Sequence, residues 1–250
     1  MLIDVILVPP AAVSKSPEGQ IAVVLDILRA SSTIVTALGN QALRVIPVVE
    51  PQEAFQLRHK AGDCILGGER KGYKIDGFDL GNSPAEYSEE NIAGRTIVLS
   101  TTNGTKAALW AKEACKIIIG SFLNMDAVCD HITSRPNDIT IVCAGREGNP
   151  SLEDMACAGM IVSMIGSTYQ LTDAAKAAWY TFEKARQTGL TAFVSQTEHG
   201  RYLNEIGMGS DIALCTNLNK FPILPELKDG AITLKLPKSN TQTVYWPLTF

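Results

Sequence analysis

Charged and hydroxyl side chains collect at four places where a short apolar run gives way to helical periodicity. The first is VVLDILRASSTIVTAL, where Asp26 closes the apolar run, Arg29 follows, and Ser31, Ser32 and Thr33 open the helical stretch. Such a start offers N–H and O–H donors to an anion, although Ser31 or Ser32 can equally serve as a helix cap. Asp26 asks for more, because an acid at the end of an apolar strand needs a partner or a cation. The second is GGERKGYKIDGFDLGNSP (Gly67–Pro84), with five glycines in eighteen residues, charges of both signs, and Tyr73 and Phe78. Glycine at that density permits positive φ and close approach to a ligand. A binding loop is expected, without the GxxxxGK[ST] pattern of a Walker loop. The third, IVLSTTNGTKAALW, sets Ser100, Thr101, Thr102 and Thr105 around Asn103-Gly104, a turn able to expose N–H groups as an anion nest. The fourth, IVCAGREGNPSLEDMACAG, flanks Arg146-Glu147 with Gly145 and Gly148 and opens a helix at Ser151. Ser151-x-x-Asp154 reads as a capping box. Glu153 has only a favourable place near the helix dipole. Adjacent carboxylates repel unless a cation or an arginine separates them, and Mg²⁺ held by one or two carboxylates plus water and phosphate oxygens would do so.

The four junctions pool oxygen ligands (Asp26, Glu69, Asp79, Glu153, Asp154), fixed cations (Arg29, Arg70, Arg146) and hydroxyl or backbone donors. That mixture suits transfer of a phosphoryl group to water, in which negative charge spreads over the equatorial oxygens and must be held while the attacking oxygen is activated. Phosphate monoesters resist hydrolysis so strongly that enzymes accelerate it by up to about 10²¹-fold. One arginine cannot supply that; a metal with several donors is the minimum set.

A scaffold must bring the junctions together. Runs rich in β-branched residues at Ile21–Leu25, Arg44–Val49, Thr96–Ser100, Lys116–Gly120 and Ile139–Ala144 alternate with helical stretches. The latter lie at Ala30–Leu38, Gln52–Ala61, Thr105–Ala114, Glu153–Ile165 and Asp173–Thr188. The alternation predicts an α/β class, a layered α/β/α fold with a mainly parallel mixed sheet, whose ligands gather at the carboxyl ends of strands. The apolar stretch MLIDVILVPPAAVSK is expected to be a first strand and not a secretion signal, since it lacks a basic leading region and contains Asp4. Near the C-terminus, Ile212–Leu218, Ala231–Leu236 and Thr243–Trp246 are expected as antiparallel or edge strands. With no repeat and no linker, one domain over residues 1–250 is expected.

Composition narrows the function. An apolar share of 46% supports a large core and excludes disorder as the dominant state. A net charge of −4 argues against a nucleic-acid binder, and no apolar run approaches the roughly 18 residues of a membrane span. Cys64, Cys115, Cys129, Cys143, Cys157 and Cys215 form no CxxC pair and read as small hydrophobes in a reducing cytosol, with a thiol nucleophile at Cys143 or Cys157 as the alternative. His59, His131 and His199 are too scattered for a zinc cluster.

Together with EHGRYLNEIGMGSDIALC, the four junction motifs extend from Val23 to Cys215 and resemble the 2-phosphosulfolactate phosphatase family. The resemblance implies a cytoplasmic, Mg²⁺-dependent acid phosphatase that converts 2-phospho-3-sulfolactate to 3-sulfolactate and phosphate, a reaction of coenzyme M biosynthesis in methanogens. No DxDxT motif is present and no cysteine phosphate loop is expected, which leaves direct attack by metal-bound water. In this reading Asp26, Glu153 and Asp154 form the magnesium shell, with Asp26 and Glu153 also catalytic. Arg29, Ser31 and the turn Thr101, Thr102, Asn103, Gly104 and Thr105 hold the phosphate. Arg70 and Arg146 take the sulfonate and carboxylate through planar donor forks. Glu69 and Asp79 either ligate the metal or anchor those arginines. His199 either gives a proton to the leaving oxygen or is structural, and the role of Asp211 stays open. The expected partner is a small anionic phosphorylated substrate, with no nucleic acid and no membrane; a homo-oligomer is left open. Two other readings stand beside this one: a phosphatase of another small phosphorylated hydroxy acid, and a non-catalytic binder of an anionic metabolite.

Overall fold

Runs such as IAVVL and KIIIG are apolar on both faces of a strand and are stable where other layers cover both sides. The computed structural model describes residues 1–9 and 17–234. The chain forms β1 (Leu2–Ile6), β2 (Ile21–Leu25), α1 (Ala30–Gly39), β3 (Arg44–Val48), α2 (Pro51–Ala61), β4 (Cys64–Arg70) and β5 (Tyr73–Lys74). It continues through α3 (Glu89–Ile92), β6 (Thr96–Ser100), α4 (Gly104–Trp110), β7 (Lys116–Gly120), α5 (Met125–Thr133), β8 (Ile139–Cys143) and α6 (Leu152–Ile165). Then come β9 (Gln170–Leu171), α7 (Asp173–Thr188), α8 (Leu190–Gln196), α9 (Glu198–Glu205), α10 (Ser210–Cys215), β10 (Pro225–Lys228) and β11 (Ala231–Leu234).

The strands make one mixed sheet in the order β5-β4-β6-β3-β11-β10-β7-β2-β8-β1-β9. Two parallel blocks, β4-β6-β3 and β7-β2-β8-β1-β9, are joined through the antiparallel hairpin β10–β11, which pairs with β7 on one side and β3 on the other. Three antiparallel pairings in succession reverse the sense, so the blocks run in opposite directions across the hairpin. Within each block the carboxyl ends are level. Leu25 pairs with both Gly120 and Cys143, and Ser100 pairs with both Val48 and Gly68.

Alternation along the strands feeds separate cores. Val23, Ile118 and Ile141 pack with Val128 of α5, Ile161 of α6 and Ala178 of α7. A middle core takes Ile34 and Leu38 from α1, Ala107 and Trp110 from α4, Val24 and Ile119 from one block, and Ile97 and Leu99 from the other. The first turns of α1 and α4 are thereby set between the blocks.

The C-terminal expectations need correction. Ile212–Leu218 is no strand: its first residues belong to α10, whose start Gly209-Ser210-Asp211 follows a glycine-rich turn. A short apolar run cannot by itself distinguish helix from strand. The expected strand Ala231–Leu236 is β11 within the described residues, and Thr243–Trp246 lies outside them. β11 is antiparallel to both of its neighbours, one of the two expectations for it, and lies inside the sheet beside β10, a strand the sequence reading did not anticipate. The turn between them uses Asp229 and Gly230 at φ 49° and 76°, the left-handed pair that a tight hairpin requires.

Candidate active site

The carboxyl ends of both blocks contribute to one cavity of about 460 Å³. Asp26 and Arg29 come from the β2–α1 turn, Glu69 and Arg70 from the end of β4, and Thr101, Thr102 and Asn103 from the β6–α4 turn. Arg146 follows β8, and His199 and Tyr202 come from α9.

Asp26 is 8% exposed. Its Oδ1 accepts from the Ala30 N–H at 3.2 Å. Burial, reinforced by Glu69 and Glu153 and opposed by His199 and the Ala30 N–H, pushes its carboxyl up to about 6. The Ser31 hydroxyl accepts from the Asp26 N–H at 2.9 Å and donates to the Asp26 carbonyl at 2.8 Å. It staples the turn that carries Asp26, makes no helix-cap bond, and does not line the main cavity. Ser32 does the same for Ile27, donating to its carbonyl at 2.9 Å. Gly104 supplies close approach rather than a ligand contact, since a Cβ there would stand 2.9 Å from both Asp26 Oδ2 and Ala30 Cβ.

Asp154 does not complete a capping box, and Ser151 makes no side-chain cap bond. Instead Asp154 accepts from the N–H groups of Ile27 at 2.8 Å and Gly145 at 3.1 Å, bracing the ends of β2 and β8 against each other. Burial and its acidic neighbours Asp26 and Glu153 hold its carboxyl well above the usual range. Glu153, 1% exposed, lies 3.2 Å through Oε1 from His199 Nδ1. His199 lines both the main cavity and a second one of about 360 Å³ that also reaches Glu153, Arg146 and Arg201.

The three cations differ in commitment. Arg29, 3% exposed, pairs with buried Asp211 at 2.6 Å and donates to the Gly72 carbonyl at 2.6 Å. Arg70 donates to the carbonyls of Glu69 and Val49 at 2.8 and 2.6 Å and to Ser100 Oγ at 3.1 Å, which ties it largely to the loop. Arg146 stacks 4.5 Å above the Tyr202 ring and touches exposed Glu198 at 3.4 Å. Neither Glu69 nor Asp79 anchors Arg70 or Arg146 through its side chain. Glu69 accepts from Thr102 N–H and Oγ1 at 3.1 and 2.9 Å and from Gly72 N–H at 2.8 Å. Asp79 pairs with Arg58 and lies off the cavity.

At the hydroxyl turn, Thr102 is thus turned to Glu69, while Thr101 and Thr105 lie 3.5 Å apart through their hydroxyls. Thr105 also donates to the Val48 carbonyl at 3.4 Å and, like Ser31 and Gly104, lines a small pocket behind Asp26 rather than the main cavity. Sequence reasoning did not single out Lys71, Asn82 or Tyr202, which line the cavity too. Lys71 and Asn82 fell inside the glycine-rich motif and Tyr202 inside EHGRYLNE; nothing in their spacing set them apart. Asp211, left open, emerges as the partner of Arg29, with Ser83 Oγ donating to its other oxygen at 2.5 Å.

A thiol nucleophile finds no support. Cys143 and Cys157 are fully buried, and burial together with Asp154 holds both thiols well above their usual range. By spacing, Cys64–Arg70 and Cys129–Arg135 do match CxxxxxR. Cys64 and Arg70, however, are the two ends of β4, about 20 Å apart at strand rise. Cys129 faces the core from α5, its thiol pushed up by burial to about 12. Among the described residues, no three His, Cys, Asp or Glu side chains gather closely enough to hold a metal by themselves. The expected shell of Asp26, Glu153 and Asp154 is therefore not a preassembled three-ligand cluster. Mg²⁺ needs only one or two carboxylates, the rest being water and phosphate, and Asp26 fits that need.

The chain matches the family model described as 2-phosphosulpholactate phosphatase over residues 7–230. A probable 2-phosphosulfolactate phosphatase of Clostridium perfringens is 40% identical over 238 residues, covering 93% of this chain and 96% of that protein. One from Thermotoga petrophila is 42% identical over 234 residues, covering 94% and 99%. One from Carboxydothermus hydrogenoformans is 38% identical over 237 residues, covering 94% and 98%. An α/β protein with these relatives is a phosphatase, a phosphoric monoester hydrolase. The chain belongs to the 2-phosphosulfolactate phosphatase family. Among the described residues no helix is long and apolar enough to cross a membrane.

Proposed function

We propose that this chain hydrolyses the phosphate monoester of 2-phospho-3-sulfolactate to 3-sulfolactate and phosphate in a Mg²⁺-dependent reaction. The observation that carries the reading is the single cavity in which Asp26, Arg29, Arg146 and His199 meet. Its volume of about 460 Å³ lies within the range of small-ligand sites. Asp26 would hold the ion: it is buried, lines the cavity, and has Glu69 and Glu153 for neighbours, so its surroundings favour a cation. When bound, Mg²⁺ would neutralise phosphate oxygens and lower the pKa of water in its shell.

The remaining work falls to the chain's own groups. Arg29, held by Asp211 and Gly72, presents its remaining N–H groups to the phosphate. Arg146 and Lys71 sit on the same cavity with fewer protein partners and suit the sulfonate and carboxylate. Protonated His199, oriented through Nδ1 by Glu153, donates a proton to the C2 oxygen as its bond to phosphorus breaks and a water oxygen bonds to phosphorus.

The test is phosphate release from 2-phospho-3-sulfolactate and from phospholactate with Mg²⁺ titrated. Release that needs Mg²⁺ and favours the sulfonated ester about tenfold or more is expected. Release unchanged by a chelator removes magnesium from the proposal, and equal rates on both esters move the substrate to another phosphorylated hydroxy acid.

A further inference from the structure

Asn82 lies in the segment after β5, is 4% exposed, and lines the cavity with Asp26 and Arg29. Its backbone carbonyl accepts from Thr33 Oγ1 at 2.8 Å, which fixes the residue in place. Its side chain makes no hydrogen bond among the described residues, and Oδ1 is enclosed without a partner there. Oδ1 left in that state costs the folded chain stability, and Nδ2, unpartnered but not enclosed, is the end that a ligand can reach.

The surroundings say which ligand group would do so. The next residue, Ser83, donates to Asp211 Oδ1 at 2.5 Å, and Asp211 Oδ2 pairs with Arg29 at 2.6 Å. Asn82 therefore adjoins the buried network that holds Arg29, three residues from Asp26, whereas Lys71 is exposed at the rim. An amide offers a donor at one end and an acceptor at the other, and which end points where follows from the partner it finds. Beside an arginine, and in a cavity for an anion, the donor end is the one that fits.

We infer that Asn82 contacts the substrate, its Nδ2 donating to an oxygen of the phosphoryl group. The inference rests on the phosphatase reading above and adds a neutral donor to the charged groups of that site.

The test compares the full-length chain with Asn82→Leu and Asn82→Asp, using inorganic phosphate and 3-sulfolactate as separate probes of melting temperature in Mg²⁺. For Asn82→Leu, a ligand-free melting temperature at or above that of the unaltered chain is expected. Its phosphate-induced rise should fall to less than about half, its response to 3-sulfolactate should persist, and KM for the ester should rise about tenfold, the size of one hydrogen bond to a charged group. Asn82→Asp, which replaces the donor with a negative acceptor, should also lose the phosphate response. A lower ligand-free melting temperature with an intact phosphate response makes Asn82 structural and overturns the inference. Loss of the sulfolactate response alone, or a phosphate response retained in Asn82→Asp, overturns it as well, as does an unaltered chain that shows no phosphate response. If Asn82→Leu does not fold, Asn82→Ala carries the same comparison. The phosphate response needs no turnover, so a wrong ester assignment shows as an unhydrolysed substrate while the comparison at Asn82 still reads out.

Discussion

Asp26 carries two opposed demands. It is an acid held in a buried turn beside Glu69 and Glu153, which raises its carboxyl to about 6 from an ordinary value of 3.8. The folded chain therefore holds this proton more tightly than the unfolded chain. Its contribution to stability is complete below about 4 and is lost as pH rises through about 6. Asp26→Asn should flatten that slope in metal-free melts between pH 4 and 7, raise the melting temperature at pH 7.5, and lower phosphate release by about 10²-fold or more. A melting temperature at pH 7.5 that falls instead would mean that the ionised carboxylate stabilises the fold. Glu153→Gln keeps the shape but cannot hold an imidazolium as a carboxylate does, so kcat should drop about 10-fold or more with the alkaline limb of the pH–rate profile displaced to lower pH. An unchanged profile would confine Glu153 to packing.

Elements act here by bringing turns together. The β2–α1 turn is stapled by Ser31 and Ser32, braced by Asp154 from α6, and approached by Gly104 at the start of α4. Its Arg29 is locked by Asp211 of α10, with side chains only 3% and 2% exposed. Removing one member of such a pair strands a buried charge, at a cost of about 3–5 kcal/mol. Asp211→Ala should accordingly destabilise the protein by that amount in urea melts and weaken phosphate binding. A change below about 1 kcal/mol would show that Arg29 finds another partner. The strand and helix runs were readable because their periodicity is local, down to the matching bounds of Ile21–Leu25, Thr96–Ser100 and Lys116–Gly120. The capping-box reading of Ser151 and Asp154 failed because a carboxylate three residues into a helix can also reach N–H groups of distant turns, and here it does.

Over the whole molecule, the hairpin β10–β11 connects the two parallel blocks, and Ile232, 1% exposed, pairs with Val45 from inside the middle core. A charge there would have no partner. Ile232→Asp should abolish folding or lower stability by several kcal/mol, and the cavity, which draws on both blocks, should lose phosphate release along with it. Calorimetry is the check: separate transitions for the two blocks would show that the hairpin is not what couples them.

The sequence by itself determined the alternating α/β elements, the carboxyl-end turns that carry the chemistry, and the family, since each depends on residue type and short spacing. It also marked Asp26, Arg29, Arg70, Arg146 and His199 as members of one site, and all five line the same cavity. What it left open was which acid meets which cation. Arg29 meets Asp211 across 182 positions, and the Ile27 N–H meets Asp154 across 127. Such pairings arise only when the folded sheet and its helices have brought distant turns side by side. Burial then separates a carboxylate facing the cavity from one consumed as a brace, a distinction made by tertiary packing and not by residue type.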